Sequence, residues 1–256
     1  MKIRILGAHS NESATTGLVS LLIDDILAVD AGALTSNLSF EEQQNLNGIL
    51  LTHHHFDHIR DIPALGMNFF LHNSCIDVYS TQPVHQALTT HLINDVLYPN
   101  YLEKPPEKPA IKFHTLEAGR EETIAGYSVL PVKVNHAVPT VGYQITSAEG
   151  KKVFITSDTG PGLTECWKQV TPDLLIIETT MLNKHEESAR MTGHLTAELL
   201  RQELVSFKEI KGYLPQIIIK HINALDEKEI RSELEAASRT LNTGLLPGYE
   251  GMRINL

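Results

Sequence analysis

Four side chains that bind metal ions fall within six consecutive residues of the chain. His53, His55, Asp57 and His58 form the pattern H-x-H-x-D-H. Imidazole and carboxylate groups are ligands that suit zinc, iron or manganese. Alternation along an extended segment brings His53 and His55 to one side, and a tight turn then directs the other two ligands towards a second point. The segment therefore predicts ligands for two adjacent metal ions, whereas His54 is expected to point away from them.

Apolar runs typical of buried strands precede this motif and three further polar residues. The run Gly48–Leu51 leads directly into the motif, which is therefore expected at the carboxyl end of a strand, in the turn before a helix. His136, Asp158 and His221 follow later strand-like runs, in that order. These runs are Tyr127–Asn135, Val153–Thr156 and Ile217–Lys220. Each of the three residues alone is typical of a turn, but together they predict the remaining ligands of a two-metal site.

The order of these residues resembles that of the metallo-β-lactamase superfamily over nearly the whole chain. The resemblance implies an α/β fold, a four-layer αββα sandwich, formed as a single domain over residues 1–256. It implies one metal held by His53, His55 and His136, a second held by Asp57, His58 and His221, and Asp158 bridging both. Two divalent ions per chain are expected, with zinc as the first choice and manganese or iron as alternatives. Asp30 matches a structural acidic position of the family and is expected to lie behind the ligands.

Two further segments resemble the branch of this superfamily that contains RNase Z and the class II cyclic-nucleotide phosphodiesterases. Glu178 ends the apolar run Leu174–Glu178, and His194 lies two residues before Thr196 at a predicted helix start. The resemblance implies that Glu178 orients His194 beside the scissile phosphate, where His194 donates a proton to the leaving oxygen. It also implies that Asp57, or alternatively Asp158, aligns the attacking hydroxide, which bridges the metals. The implied activity is that of a metal-dependent phosphodiesterase.

The interval between Tyr143 and Asp158 limits the size of the expected substrate. His136 and the Gly142-Tyr143 pair also resemble this branch, whose bacterial RNase Z-type enzymes carry a long Gly/Pro-rich arm for transfer RNA in the interval that follows. Here Tyr143 and Asp158 are only 15 positions apart, which allows a hairpin but no arm. The net charge of −10 also disfavours an extended nucleic acid. A small phosphodiester such as a 3',5'-cyclic nucleotide is expected instead.

Three other functions stay open on the sequence alone. A hydrolase of the same fold that cuts a lactone, a thioester or a β-lactam would need the metals but not Glu178 and His194. An RNase Z-like endonuclease that lacks the arm is a second alternative. In the third, the metal centre senses oxygen or redox state without catalysis, although all seven ligand positions are filled.

The composition is that of an ordinary globular chain. Hydrophobic residues make up 42% and charged residues 20% of the 256 residues, which excludes a wholly disordered or collagen-like chain. Two cysteines, Cys75 and Cys166, cannot form a disulfide framework, and no signal peptide or membrane-spanning run is recognisable. A cytoplasmic location without membrane attachment is expected. The resemblance is compatible with a homodimer.

Strand-like and helix-like segments occur in both halves of the chain in similar order, which predicts two packed sheets with helices outside. The remaining strands are expected at Lys2–Leu6, Leu18–Ile23, Ile26–Val29, Ile111–His114, Gly142–Thr146 and Lys152–Thr156. Helices are expected at His58–His72, Gln82–Leu97, Leu163–Val170, Thr196–Ser206 and Glu227–Leu241. The segment Pro99–Pro109, which contains four prolines, is expected to be a loop and a candidate lid beside the site.

Overall fold

The computed structural model describes all of residues 1–256, which form two seven-stranded β-sheets. The first sheet contains β1 (Lys2–Gly7), β2 (Ser20–Ile23), β3 (Leu27–Val29), β4 (Gly48–Leu50), β5 (Ile76–Ser80) and β6 (Ile111–Thr115). The second contains β7 (Glu122–Ile124), β8 (Tyr127–Lys133), β9 (Val141–Thr146), β10 (Lys152–Ile155), β11 (Leu174–Glu178), β12 (Gln216–Lys220) and β13 (Leu245–Pro247). The last strand, β14 (Arg253–Asn255), returns to the first sheet beside β1.

The parallel strands of each sheet end at the same sheet edge, and most candidate ligands follow directly after these ends. In the first sheet the order is β14-β1-β2-β3-β4-β5-β6, and β3 to β6 are parallel. In the second sheet it is β13-β12-β11-β10-β9-β8-β7, and β10 to β13 are parallel. Ligands commonly bind at the carboxyl ends of parallel strands. The H-x-H-x-D-H motif follows β4, Asp158 follows β10, and His221 follows β12.

Helices cover the outer face of each sheet, which confirms the four-layer αββα sandwich. Apolar side chains of the two sheets meet in a central core that includes Ile5, Tyr143 and Ile218. Two further cores join each sheet to its own helices. The helices are α1 (Leu34–Asn37), α2 (Phe40–Gln44), α3 (Phe56–Ile59), α4 (Ile62–Leu71), α5 (Gln82–Ala87), α6 (Thr164–Gln169), α7 (Glu186–Thr192), α8 (Ala197–Lys211) and α9 (Glu227–Leu241). None of them combines the length and apolar character that crossing a bilayer requires.

The helix predicted over Gln82–Leu97 is wrong at its C-terminal end. α5 covers only the first six residues and continues as a π-helical turn, Leu88–Leu92. Beyond this turn, the side chain of Asn94 accepts hydrogen bonds from the backbone N–H groups of Val96 and Leu97. Such local side-chain bonds compete with helix formation. Val96 and Leu97 are accordingly exposed, although their spacing had suggested the buried face of a helix.

The segment predicted as one helix and its exit, His58–His72, forms parts of two helices. α3 ends at Ile59 and α4 begins at Ile62. Pro63 lies in the first turn of α4, where its missing N–H group costs nothing, but a continuous helix would have required that group as a donor. The break lets the chain change direction two residues after His58, the last residue of the motif.

The connection between β9 and β10 is a tight hairpin, as the spacing predicted. The strands pair antiparallel from Thr146 opposite Lys152, and Gly150 adopts a φ of 80° in the turn between them. No arm emerges at this point of the fold. The Pro99–Pro109 segment contains neither helix nor strand, which confirms that it is a loop.

Candidate metal centre

Two groups of potential metal-binding side chains that share Asp158 meet at the carboxyl ends of the strands, and Glu178, His194 and His221 form a third group beside them. The ligand atoms within each group lie within 4.8 Å of one another. The first group comprises His53, His55, His136 and Asp158, and the second comprises Asp57, His58, Asp158 and His221. The structure thus brings together all seven residues that were predicted as ligands, and His54 lies in neither group.

Unusual backbone conformations direct several of these side chains. Ser157 and His221 have positive φ angles of 65° and 56°, a left-handed conformation that residues other than glycine rarely adopt. The chain therefore turns sharply before Asp158 and again at His221, directly after the buried strands. Gly32 lies so close to the backbone carbonyl of Asp57 that a Cβ atom would collide with it. This close approach explains the glycine in the turn after β3.

Hydrogen bonds from Nδ1 of two imidazole rings leave Nε2 as the nitrogen that can bind a metal. Nδ1 of His58 donates to Oδ2 of Asp30 over 2.8 Å. Nδ1 of His136 donates to the backbone carbonyl of Gly193, also over 2.8 Å. Such outer bonds fix the tautomer, so that Nε2 carries the lone pair that a metal requires. Asp30 thus lies behind a candidate ligand.

Two ring nitrogens that face the centre lack a hydrogen bond. Nε2 of His53 and Nε2 of His58 are buried and make no hydrogen bond. Oδ2 of Asp158 lies 3.8 Å from the first nitrogen and 3.3 Å from the second. Unpaired buried polar atoms are costly unless a further group satisfies them. The residues present therefore fit a pair of divalent metal ions, for which imidazole and carboxylate are suitable donors.

The electrostatic environment differs between the two groups. Burial lowers the pKa of His53 and His55, which keeps these rings neutral, as metal ligation requires. His58 is buried as well, but the carboxylates around it, Asp158 foremost, outweigh burial and raise its pKa well above the ordinary value. The surplus of carboxylate charge in the second group attracts positive charge, which a divalent ion would supply.

Glu178 and His194 form a hydrogen-bonded pair beside the two groups. Nδ1 of His194 lies 2.8 Å from Oε1 of Glu178. Burial opposes a charged imidazole, but the carboxylate of Glu178 outweighs it and raises the pKa of His194 to about 9. The His194 ring stacks on His221 with centroids 5.4 Å apart and meets the ring of His136 at a steep angle, 5.0 Å away. A charged imidazole therefore borders one candidate ligand of each group.

Glu178 is held in place by donors on both of its oxygens. The donors are the backbone N–H groups of Thr159 and Leu195, the Thr180 hydroxyl and Nδ1 of His194. The carboxylate is fully buried, and each of its oxygens is already engaged twice. Glu178 is therefore better suited to orienting His194 than to binding a metal. The Thr180 hydroxyl also lies 2.7 Å from Nδ1 of His221, which links the pair to the second group.

Sequence reasoning missed four residues that lie behind the candidate ligands. They are Thr52, Ser157, Thr180 and Lys220. The Thr52 hydroxyl donates to Oδ1 of Asp30 over 2.8 Å and lies 3.1 Å from Nδ1 of His53. Hydroxyl residues beside a ligand are common in any turn and carry no distinct signal. A lysine that ends an apolar strand is a stronger signal, because lysine is rarely buried.

A cavity of about 650 Å³ opens beside His136, between the loop after β8 and the start of α5. Its walls combine apolar side chains such as Leu116 and Val138 with polar ones such as Gln82 and Lys133. This volume lies within the range of small-molecule sites. The cavity therefore offers room for a substrate group next to a candidate ligand of the first group.

Comparison with known proteins defines the family. Residues 21–210 match the model of the beta-lactamase superfamily domain. The chain therefore belongs to the beta-lactamase superfamily and is a hydrolase of the metallo-β-lactamase fold. It is 27% identical over 277 aligned positions to a ribonuclease Z of Bradyrhizobium sp. (strain ORS 278), which covers 88% of this chain and 87% of that protein. A ribonuclease Z of Methanopyrus kandleri is 28% identical over 140 positions, 53% of this chain and 45% of that protein.

Solved structures share the fold at low sequence identity. Unliganded yeast PDE1 has a TM-score of 0.85 at 17% identity, over 100% of this chain and 99% of that chain. Human tRNase Z, short form, has a TM-score of 0.68 at 17% identity over the same shares. An isothiocyanate hydrolase from Delia radicum gut bacteria has a TM-score of 0.65 at 14% identity, again over 100% and 99%. These likenesses establish the fold.

Proposed function

We propose that this protein is a two-metal phosphodiesterase that hydrolyses a small phosphodiester such as a 3',5'-cyclic nucleotide. The observation that carries the proposal is the hydrogen-bonded pair of buried Glu178 and half-buried His194 beside both donor groups. A phosphodiester is an anion, and its leaving oxygen gains negative charge during cleavage. A positively charged imidazole next to the ligands stabilises both, because a preorganised charge is most effective where charge develops in the transition state. Binding metal alone would not require this pair.

The seven donors would hold two divalent ions. His53, His55 and His136 would hold the first, Asp57, His58 and His221 would hold the second, and Asp158 would contribute to both. When bound, such ions lower the pKa of a coordinated water from about 15.7 to about 7 and neutralise a phosphoryl oxygen. We propose zinc as the resident metal, although the same donors accept manganese or iron.

Asp57 and His194 would perform the proton and alignment steps. Asp57 is partly exposed, unlike the buried Asp158, and its Oδ2 lies 3.1 Å from Nε2 of His221. Its carboxylate can therefore align an attacking water at the solvent side of the second group. Glu178 holds the Nδ1 proton of His194, so the Nε2 proton is the one available to the leaving alkoxide. A general acid in such a position raises the rate of the reaction ~10²–10⁴-fold.

The surroundings of the site favour a small substrate. The cavity beside His136 has the volume of a small-molecule site, and the β9–β10 hairpin carries no arm. The net charge of −10 repels a long phosphate backbone. These three features support a small phosphodiester over extended nucleic acid.

A second candidate is an RNase Z-like endonuclease. It is favoured by the relative named ribonuclease Z, which aligns with 88% of this chain. Because the Glu178–His194 pair would serve the same chemistry on RNA, the site alone does not separate the two substrates. The two candidates differ in how the protein would bind its substrate. The absence of an arm between β9 and β10 favours the small phosphodiester.

A substrate panel tests the proposal. Zinc- and manganese-loaded protein is assayed with 3',5'-cyclic AMP and cyclic GMP, bis-p-nitrophenyl phosphate, a precursor transfer RNA and a lactone. We expect cleavage of the small phosphodiesters with the highest kcat/KM. Preferential cleavage of the precursor RNA would establish the endonuclease instead. Preference for the lactone, or no hydrolysis at full metal loading, would contradict both phosphodiester candidates.

A further inference from the structure

Lys220, at the carboxyl end of β12, is a fully buried lysine that the proposed reaction does not use. Its exposed fraction is 0%, and its Nζ makes no hydrogen bond. It lies two residues after Ile218 and therefore on the same face of the strand, towards the central core between the sheets. A buried ammonium is among the costliest groups to leave unpaired. Its position therefore calls for a compensating charge nearby.

Asp158 supplies that charge. Nζ of Lys220 lies 3.9 Å from Oδ1 of Asp158, and no other carboxylate lies within 4.0 Å of it. Oδ1 is itself buried and has no hydrogen-bond partner. The other oxygen, Oδ2, lies 3.1 Å from Nε2 of His221 and 3.3 Å from Nε2 of His58. The two oxygens of one carboxylate thus face different partners, the ammonium on one side and the imidazole nitrogens on the other.

We propose that Lys220 is a positioning residue that holds Oδ1 of Asp158 away from the metals, so that Oδ2 alone serves both donor groups. This inference rests on the proposed two-metal site. The side chain of Asp158 is buried, and Oδ1 is the oxygen that faces the ammonium of Lys220. Without the ammonium, Asp158 could rotate and give both oxygens to one group. The other group would then keep only three protein donors and would hold its ion more weakly.

Metal titration of Lys220→Met tests the inference, because this variant keeps a long side chain and removes its charge. Metal-free wild type and variant are titrated with Zn²⁺ and desalted, and the bound zinc is counted by elemental analysis. We expect about two ions per chain in the wild type and about one in the variant, with the affinity for the second ion at least tenfold lower. Electron paramagnetic resonance after Mn²⁺ loading should show a coupled pair in the wild type and an isolated ion in the variant.

Three companion variants separate positioning from folding. Ile218→Met alters a buried residue on the same strand face and should keep both ions. Lys220→Arg restores a cation and should hold more metal than Lys220→Met. Lys220→Gln, which has no charge, should resemble Lys220→Met and replaces it if that variant does not fold.

The inference and the proposed function fail in different ways. If a folded Lys220→Met or Lys220→Gln variant binds both ions as tightly as the wild type, or more tightly, Lys220 does not position Asp158. If the wild type itself takes up no metal, the two-metal site and this inference are overturned together.

Discussion

Outer hydrogen bonds determine which atom of each side chain faces the centre of the site. His58 and His136 use Nδ1 to reach Asp30 and the carbonyl of Gly193, so that Nε2 of each ring is the nitrogen left for the donor groups. Glu178 uses both of its oxygens and so directs His194 rather than a metal. These hydrogen bonds fix the orientation of each side chain in the absence of metal and substrate, so the site is preorganised.

The role of His194 predicts a loss of turnover without a loss of metal. His194→Gln removes the charge but keeps a hydrogen-bonding side chain. We expect kcat for a small phosphodiester to fall ~10²–10⁴-fold, the range for a lost general acid. Both metals should remain, because His194 lies outside the two groups that share Asp158, and the carboxylate of its own group, Glu178, is already engaged by four donors. Steady-state kinetics and elemental analysis of the same samples measure both quantities.

The matched control is His185→Gln, which changes an exposed histidine away from the site and should behave like the wild type. Unchanged turnover of His194→Gln would remove His194 from the reaction. Loss of metal in parallel with turnover would make it a ligand instead of an acid.

Among the secondary-structure elements, α7 ends at a residue that packs against the backbone of the candidate ligand His136. Gly193 ends α7 in a left-handed conformation with a φ of 72°. A Cβ atom on Gly193 would lie 2.7 Å from Cα of His136, so only glycine allows the two backbones to approach this closely. The same turn then presents His194. One glycine therefore fixes the position of both imidazoles.

Two glycine variants with similar φ angles isolate the effect of this close approach. Gly212 ends α8 with a φ of 79°, and a Cβ there would meet nothing within 4 Å. Gly212→Ala should therefore cost about 1–2 kcal/mol of unfolding free energy, the cost of the backbone conformation alone. Gly193→Ala should cost more, and it should lower metal content because His136 is displaced. Urea unfolding and elemental analysis compare the two, and equal losses of stability with intact metal binding would refute the effect.

The ligand-bearing strands were predictable from the sequence, and the short edge strands were not. β11 and β12 are apolar runs that end in one charged residue, a local signal. β13 and β14 have three residues each and form because they pair with β12 and β1, partners that no local pattern reveals. β5 was missed because Asp77 interrupts its apolar pattern, although the strand lies between β4 and β6.

The candidate ligands were predictable because a local sequence signal marks them, whereas their supporting hydrogen bonds were not. The seven candidate ligands are residue types with a distinct chemistry at strand ends. The Thr180 hydroxyl and His221 are 41 positions apart and meet only because β11 and β12 are neighbours. Lys220 could have been noticed, but its partner Asp158 follows a different strand.

Across the whole molecule, the two ends of the chain meet close to the site. β14 pairs with β1, and the buried His9 places Nδ1 2.6 Å from Oε1 of Glu250. The same oxygen accepts hydrogen bonds from the backbone N–H groups of Ala8 and Gly17. His9 also forms a β-bridge with Ile222, the residue after His221. The pairing of His9 with Glu250 therefore ties both chain ends to the region of the second donor group.

This pairing predicts a pH-dependent contribution to stability. Burial would lower the pKa of His9, but Glu250 and Glu227 outweigh it, so the pKa of His9 is raised above 6.5. A raised pKa contributes stability that is fully present below about pH 6.5 and is lost as the pH rises through the folded-state value. The pKa of Glu250 is lowered to about 2, and its contribution is lost only as the pH falls below about 4.5. His9→Gln should therefore lower Tm more at pH 6 than at pH 9.

Thermal unfolding of wild type and His9→Gln at the two pH values measures this difference. For a chain of this size, each 1 kcal/mol corresponds to about 2–4 °C in Tm. An equal loss at pH 6 and pH 9 would show that His9 contributes by packing alone.

The central claim is that seven side chains from distant segments hold a pair of divalent ions. Elemental analysis of purified wild type and Asp158→Ala, both loaded with zinc and desalted, tests it most directly. We predict about two ions per chain in the wild type, and no more than about one in the variant, with nearly all phosphodiester turnover lost. Two ions retained by the variant, or none taken up by the wild type, would contradict the account.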